Sequence, residues 1–214
     1  MEVDKHFTTV AGWVVRRLGE HAQFLSHGAH TRAELLENGP VKNVHYGDIH
    51  SCATVRLNPN TLAGLPDAKT RHLESLRDGD IVLADASEDT EGISKLVEIY
   101  GLGATRAVAG QHTIAVRFDK AVLVDGFKGY LQFCPPFSGH LRRLAAGTKV
   151  YATNRAHVAS VEMKLPGVEE QAAIAAIFQD MDAEIATLEA RRDKTRLLKQ
   201  AMMQELLTGR TRLV

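Results

Sequence analysis

The chain has 214 residues, 44% hydrophobic and 24% charged, so it can bury a core and is not wholly disordered. Lys+Arg and Asp+Glu number 26 each, a net charge of zero that excludes a histone-like polycation but not a local basic patch. No apolar run reaches the ~18 residues of a membrane span, the acidic start lacks a signal peptide's order, and Cys52 and Cys134 have no framework around them; a cytoplasmic protein with reduced thiols and no membrane partner is expected.

In chain order, helices are expected at residues 10–17 and 31–37. Strands are expected at 81–84, 96–100, 113–118 and 121–124, with turn signals at Asp78-Gly79-Asp80 and Val124-Asp125-Gly126. A further helix is expected at 139–146 and a strand at 158–165. Loops around these elements carry Lys42, Asn43, His45 and Tyr46, then Lys69, Arg71, His72 and Arg77, then Arg142, Arg143 and Lys149. Pro166 and Gly167 mark a boundary. Beyond it neither residue type recurs until Gly209, and one long helix is expected from 168 to 207.

That helix carries a seam. Ile174, Phe178, Met181, Ile185 and Leu188 are spaced to keep one face toward a partner helix. The seam turns polar at Arg192 and Thr195 and resumes with Leu198, Met202 and Leu206. At 1.5 Å per residue the helix is ~60 Å long, more than a domain of this size needs to cover its core. Its charge is segregated. Glu169, Glu170, Asp180, Asp182, Glu184 and Glu189 precede Arg191, Arg192, Lys194, Arg196, Lys199, Arg210 and Arg212. A parallel pair would align like charges; an antiparallel pair sets the acidic half against the basic half.

Catalytic signatures are missing. There is no phosphate-binding G-x-x-x-x-G-K-[ST], no G-x-G-x-x-G after a strand and no G-x-S-x-G elbow. Ten histidines do not converge on a metal-ligand spacing, and His27-x-x-His30 sits in a loop-like stretch, so no metal or cofactor is expected. Cys134-Pro135-Pro136-Phe137 imitates the Asp/Asn-Pro-Pro-aromatic loop of amino-group DNA methyltransferases. A thiol cannot replace the side chain that bonds the target amine, so the motif is read as a structural turn.

Leu165-Pro166-Gly167-Val168-Glu169-Glu170-Gln171-Ala172-Ala173-Ile174-Ala175 opens a run that continues through Asp182, Ile185, Leu188-Glu189, Leu198-Lys199, Met203-Gln204 and Leu206-Leu207-Thr208-Gly209-Arg210. It resembles the conserved helical region of specificity subunits of type I restriction-modification systems. Upstream, Leu18-Gly19-Glu20 with Phe24-Leu25-Ser26 resembles the opening of that family's target recognition domain, and Val44-His45-Tyr46-Gly47-Asp48-Ile49-His50 resembles its common Tyr-Gly-Asp-Ile strand. Asp78-Gly79-Asp80-Ile81-Val82-Leu83-Ala84, Gln111-His112-Thr113-Ile114-Ala115-Val116-Arg117 and Gly129-Tyr130-Leu131 resemble later parts of that domain. Family members usually hold two recognition domains and two helical regions. Here there is one of each, so the chain looks like a half-subunit.

The resemblance implies an α+β fold: a mixed, strand-rich target recognition domain over residues 1–165, then a long helix over 166–214 that forms an antiparallel coiled coil. It implies a homodimer recognising double-stranded DNA at a bipartite, twofold-symmetric target. It also implies modification (methyltransferase) subunits as partners, a restriction or translocase subunit as a further one, and no chemistry in this chain. The loop residues named above, Lys42 and Asn43 through Arg143 and Lys149, are the candidate DNA contacts, and the seam from Ile174 to Leu206 is the candidate dimer interface. Two rival readings are a coiled-coil adaptor that never touches DNA and a DNA methyltransferase with divergent motifs.

Overall fold

A computed structural model describes residues 12–213. The chain opens on β1 (Val14–Arg17), a 3-10 turn and β2 (Ala22–Phe24). β3 (Val41–Val44) leads into helix α1 (Tyr46–Ser51), followed by β4 (Arg56–Leu57), β5 (Gly64–Leu65) and helix α2 (Asp67–Thr70). Next come β6 (Ile81–Ala84), β7 (Ala86–Ser87), β8 (Leu96–Ile99), β9 (Ala107–Ala109) and β10 (Thr113–Phe118). Helix α3 (Pro135–Leu144), β11 (Tyr151–Ala152), α4 (Arg155–Ala159) and β12 (Glu162–Leu165) precede the long helix α5 (Val168–Leu207). The fold is α+β, as the sequence implied.

The central sheet has the order β2-β10-β6-β8-β4. β6 is apolar throughout, and β10 is apolar from Ile114 to Val116, because both faces of the sheet are covered there. Ile81, Leu83, Ile114, Val116 and Phe118 enter one core with Phe137, Leu141 and Val158. The alternate residues Val82, Ala84 and Ala115 enter a second core with Leu25, Val44 and Ile49. A three-stranded sheet, β5-β3-β9, lies beside α1, and β1 pairs antiparallel with β12.

Charged side chains are buried where the chain leaves this sheet. Glu98 accepts hydrogen bonds from the amides of Gly126 (2.5 Å) and Gly129 (3.0 Å). Lys128, 1% exposed, donates to the Gly79 carbonyl (2.6 Å) and to Asp125 (2.7 Å). Gly79 has φ +88°, and a Cβ there would meet the Asp125 carboxylate at 2.1 Å, so the turn needs glycine. Arg117 grips Asp80 through Nε (2.8 Å) and Nη2 (2.6 Å), a fork geometry that a lysine could not match.

The strands expected at 81–84 and 113–118 form at those positions, and the strand expected at 96–100 is β8. Other expectations fail, for tertiary reasons. The helix expected at 10–17 is, over its described part, strand β1, because Val14 to Arg17 pair with the strand entering α5. Residues 31–37 yield a single 3-10 turn (Arg32–Glu34). Residues 121–124 are a loop: the amides of Ala121 and Val124 bond to the Asp119 and Gln171 side chains and those of Val122 and Leu123 to the Asp119 carbonyl, none to a strand. Residues 158–165 divide between the end of α4, whose start is capped by Asn154, and β12. Tyr46-Gly47-Asp48-Ile49 is helical because His45 and Asp48 form a reciprocal capping box. Cys134-Pro135-Pro136-Phe137 starts α3, with proline in the first turn where an unpaired amide costs nothing.

The chain divides into two compact units at Ala175. The first turns of α5 therefore belong to the sheet-containing unit. Gln171, 1% exposed, is the reason: its Nε2 donates to Val122 O (2.8 Å) and Pro166 O (2.9 Å), and its Oε1 accepts from Val124 N (3.1 Å). Ala175 is buried in the first core and Ile174 packs against it. Ile174 is thus a correction to the seam: it is half-covered by its own domain before any partner helix arrives. Gln171→Ala leaves one buried and two half-buried backbone groups without this partner, at ~1–3 kcal/mol for an unmade buried bond. Urea denaturation should show a loss of that order with an unchanged slope. A chain cut after Pro166 should melt below one cut after Ala175.

Candidate nucleic-acid interface

Most of the sequence-derived contact residues are on the surface of the sheet-containing unit, and two are not. Asn43 is 0% exposed in the middle of β3, with neither side-chain polar atom hydrogen-bonded. His45 is 5% exposed, and its Nδ1 accepts from the Gly47 amide at 3.3 Å. Burial pushes its imidazole pKa down, with Asp48 opposing. Both are corrections: a strand interior and a helix cap hold these side chains inside. Lys42, on the same strand, is half-exposed.

The segment that carries Lys69, Arg71, His72 and Arg77 is held by an arginine that no sequence pattern singled out. Arg106 reaches Asp67 Oδ1 (2.9 Å), the Thr70 hydroxyl (3.0 Å) and carbonyl (2.7 Å), Leu73 O (3.2 Å) and the Ser75 hydroxyl (3.0 Å). From below, Arg117 adds a bond to Ser75 O at 3.1 Å. On this clamped segment His72 and Arg77 are exposed. Arg71 pairs with Asp67 (3.3 Å) and Lys69 with Glu34 (3.0 Å), both at the surface. Such exposed pairs contribute ~0–1 kcal/mol and exchange readily for a phosphate.

Arg142 and Arg143 are exposed at the end of α3. There they also complement the helix dipole. Lys149 is exposed in the turn that follows. His140 bonds Ser160 at 2.8 Å, and burial, reinforced by Arg143 and His157, lowers its pKa. Tyr46 lies at the mouth of a cleft of about 480 Å³ with His50 and His112. Its ring meets that of His112 edge-on at 5.7 Å and that of His50 at 6.1 Å. Among the described residues, no group of three or more His, Cys, Asp or Glu side chains is placed to hold a metal ion, and no helix is long and apolar enough to cross a membrane.

No family model and no curated protein sequence matches the chain. Solved structures do share its fold. The specificity subunit of a type I restriction-modification system from M. genitalium has a TM-score of 0.59 at 15% identity, covering 93% of this chain and 46% of that one. The HsdS subunit from Thermoanaerobacter tengcongensis gives 0.56 at 15%, covering 94% and 46%. A chain from a study of assembly and conformational transition in the type I R-M system gives 0.64 at 16%, covering 94% and 47%. This chain spans about half the length of each. The fold, strand-rich unit and long helix together, is that of one half of a type I specificity subunit.

Glu34 offers a local test of the surface pairing. Its carboxyl is lowered from 4.5 to about 2, first by the Thr31 amide, then by Lys69 and His30. A carboxyl lowered on folding contributes stability that is complete above the unfolded pKa and is lost as pH falls toward the folded one. An NMR titration should place the Glu34 midpoint near 2. Lys69→Met should raise it without restoring 4.5, because the larger cause, the 2.9 Å bond from the Thr31 amide, remains.

Proposed function

We propose that this chain is the DNA-sequence-recognition component of a type I restriction-modification assembly. Residues up to 165 act as target recognition domain, and the helical stretch 166–214 acts as dimerisation element, spacer and docking surface for modification subunits. The observation that carries the reading is the shared fold with type I specificity subunits over 93–94% of this chain. Methyl transfer, translocation and cleavage belong to other chains, and this one contributes no catalytic group.

The surface chemistry supports it. His72, Arg77, Arg142, Arg143 and Lys149 are exposed. Such side chains neutralise phosphates and fix the register of a protein on a duplex. Acidic and basic residues nearly balance before the long helix, so the chain alone binds DNA weakly, and the modification subunits supply further phosphate contacts.

The long helix pairs with that of a second copy, antiparallel. Along it Phe178 (42%), Met181 (56%), Ile185 (55%), Leu188 (55%), Leu198 (59%) and Met202 (51%) expose apolar surface. Ile177, Leu197, Met203 and Leu207 add to it, beyond the residues of the seam itself. Burial at ~25 cal/mol per Å² drives association, and the acidic-then-basic order selects direction. Arg192 and Thr195 fall near the twofold axis. Two copies so related read identical half-sites in inverted orientation around a nonspecific gap.

Mobility shift with the chain and its methyltransferase subunits should retain a duplex carrying an inverted repeat and release it steeply with salt. Subunit binding with no DNA retention favours an adaptor instead. Arg191, Arg192, Lys194 and Arg196 changed together to Glu should lower the dimer fraction in sedimentation at micromolar concentration. A partner with Lys at positions 180, 182, 184 and 189 should restore it. Crosslinks showing parallel helices would refute the orientation.

A further inference from the structure

We propose that the cleft between α1, β7 and the turn before β10 reads one target base through its exocyclic amine, with Glu88 as acceptor. This inference rests on the DNA-recognition reading above and assigns it a site. The cleft of about 480 Å³ is lined by Tyr46, His50, Ser87, Glu88, Asp89 and His112, with Ala86 and Val150.

The hydrogen-bond roles are fixed by the partners. His50 Nε2 lies 3.1 Å from the Ala86 carbonyl, which only accepts, so that nitrogen carries the proton and the neutral ring keeps its lone pair on Nδ1. His112 Nδ1 lies 3.3 Å from Asp85 Oδ1, so the same logic leaves Nε2 as an acceptor. Asp89 accepts from the Gly92 amide at 2.6 Å. Glu88 is exposed and has no hydrogen-bond partner among the described residues. The recess therefore presents the carboxylates of Glu88 and Asp89 and two imidazole nitrogens as acceptors beside the Tyr46 and Ser87 hydroxyls, which can donate or accept, and neither Lys nor Arg lines it.

That composition selects its occupant. A phosphate would face carboxylates with no cation to balance it. In the major groove guanine presents N7 and O6, both acceptors, and thymine presents O4 and a methyl group; only cytosine and adenine present an amine. A recess whose one unpaired charged group is a carboxylate therefore favours cytosine or adenine over guanine and thymine. Lys149 is exposed beside the lining residue Val150, where it can hold a flanking phosphate while the carboxylate meets the base.

His112 carries a second sign of function. It has φ +57° and is the one non-glycine residue with positive φ among those described. Strained backbone of this kind persists only where the surroundings enforce it. Asp85 does so twice, through its own amide to the His112 carbonyl (3.1 Å) and through its carboxylate to the ring.

The test is selection from a randomised duplex library by the full chain at low ionic strength, with wild type, Glu88→Ala and Glu88→Gln in parallel. Glu88 is exposed and unpaired, so neither variant disturbs folding. Wild type should enrich cytosine or adenine at one position of the half-site. Glu88→Ala should reduce discrimination there by roughly 5- to 150-fold, the range for one lost base contact. Glu88→Gln, which can also donate, should admit guanine or thymine. Replacing the enriched base by its analogue lacking the amine should weaken wild type and leave Glu88→Ala unchanged. If both variants keep the wild-type preference at every position, the inference falls while DNA recognition stands. If they lose methyltransferase-subunit capture with DNA preference intact, the cleft takes a protein cation and the inference falls likewise. A wild-type chain that enriches no sequence either alone or assembled with its methyltransferase subunits would overturn the recognition reading and the inference together.

Discussion

Glu98 holds the loop on which the long helix is seated. Its carboxylate sits on the face of β8 shared with Leu96, inside the first core, and satisfies the Gly126 and Gly129 amides. Lys128 closes the same loop from the other side by bonding Gly79 and Asp125. A buried charge with its hydrogen bonds made is tolerated; with one partner removed it costs ~3–5 kcal/mol. The loop therefore has one position against the sheet. Gln171 reads that position through Val122 and Val124 and so ties the start of α5 to the sheet-containing unit.

Polar side chains thus carry the joints of this molecule while apolar ones fill its layers. Arg106 and Arg117 fasten the 67–80 segment by bonds to carbonyls, hydroxyls and carboxylates. Neither arginine is free to meet a ligand, yet both determine where Arg71, His72 and Arg77 stand. The residues that position these exposed side chains are distinct from the exposed side chains themselves. Two of the carboxylates with shifted titration, Glu98 and Glu34, show the same division. Desolvation raises the pKa of Glu98 despite its two amide bonds, so its charged form is disfavoured by folding. Surface hydrogen bonds lower that of Glu34, so its charged form is favoured. Acidification relieves the first and removes the contribution of the second.

The long helix follows different physics from the unit before it. Once past Ala175 its large apolar side chains remain exposed from Ile177 to Leu207, apart from the half-buried Leu206. Exposed apolar residues in such number on one element mark an association surface. Their 3-4 spacing and the change of charge sign near residue 191 are the features a partner helix would use.

Periodicity and chain punctuation made the long helix, the buried strands β6 and β10, and the α+β class legible in the sequence, because each depends on side-chain pattern within one segment. Pro166 and Gly167 marked where the helix begins. The pattern was silent wherever a distant partner decided the outcome. Val14 to Arg17 look helical until β12 lies beside them. Asn43 and His45 look like surface ligands until strand packing and a helix cap enclose them. Ile174 looks like the first residue of a seam until the core reaches up to cover it. Glu88 showed no signal, and His112 appeared only inside a segment that resembles the family, because the recess exists only when residues 46–50, 86–89 and 112 converge. Local sequence fixes which conformations a segment prefers; burial and hydrogen-bond partners from remote segments decide which side chains remain free to act.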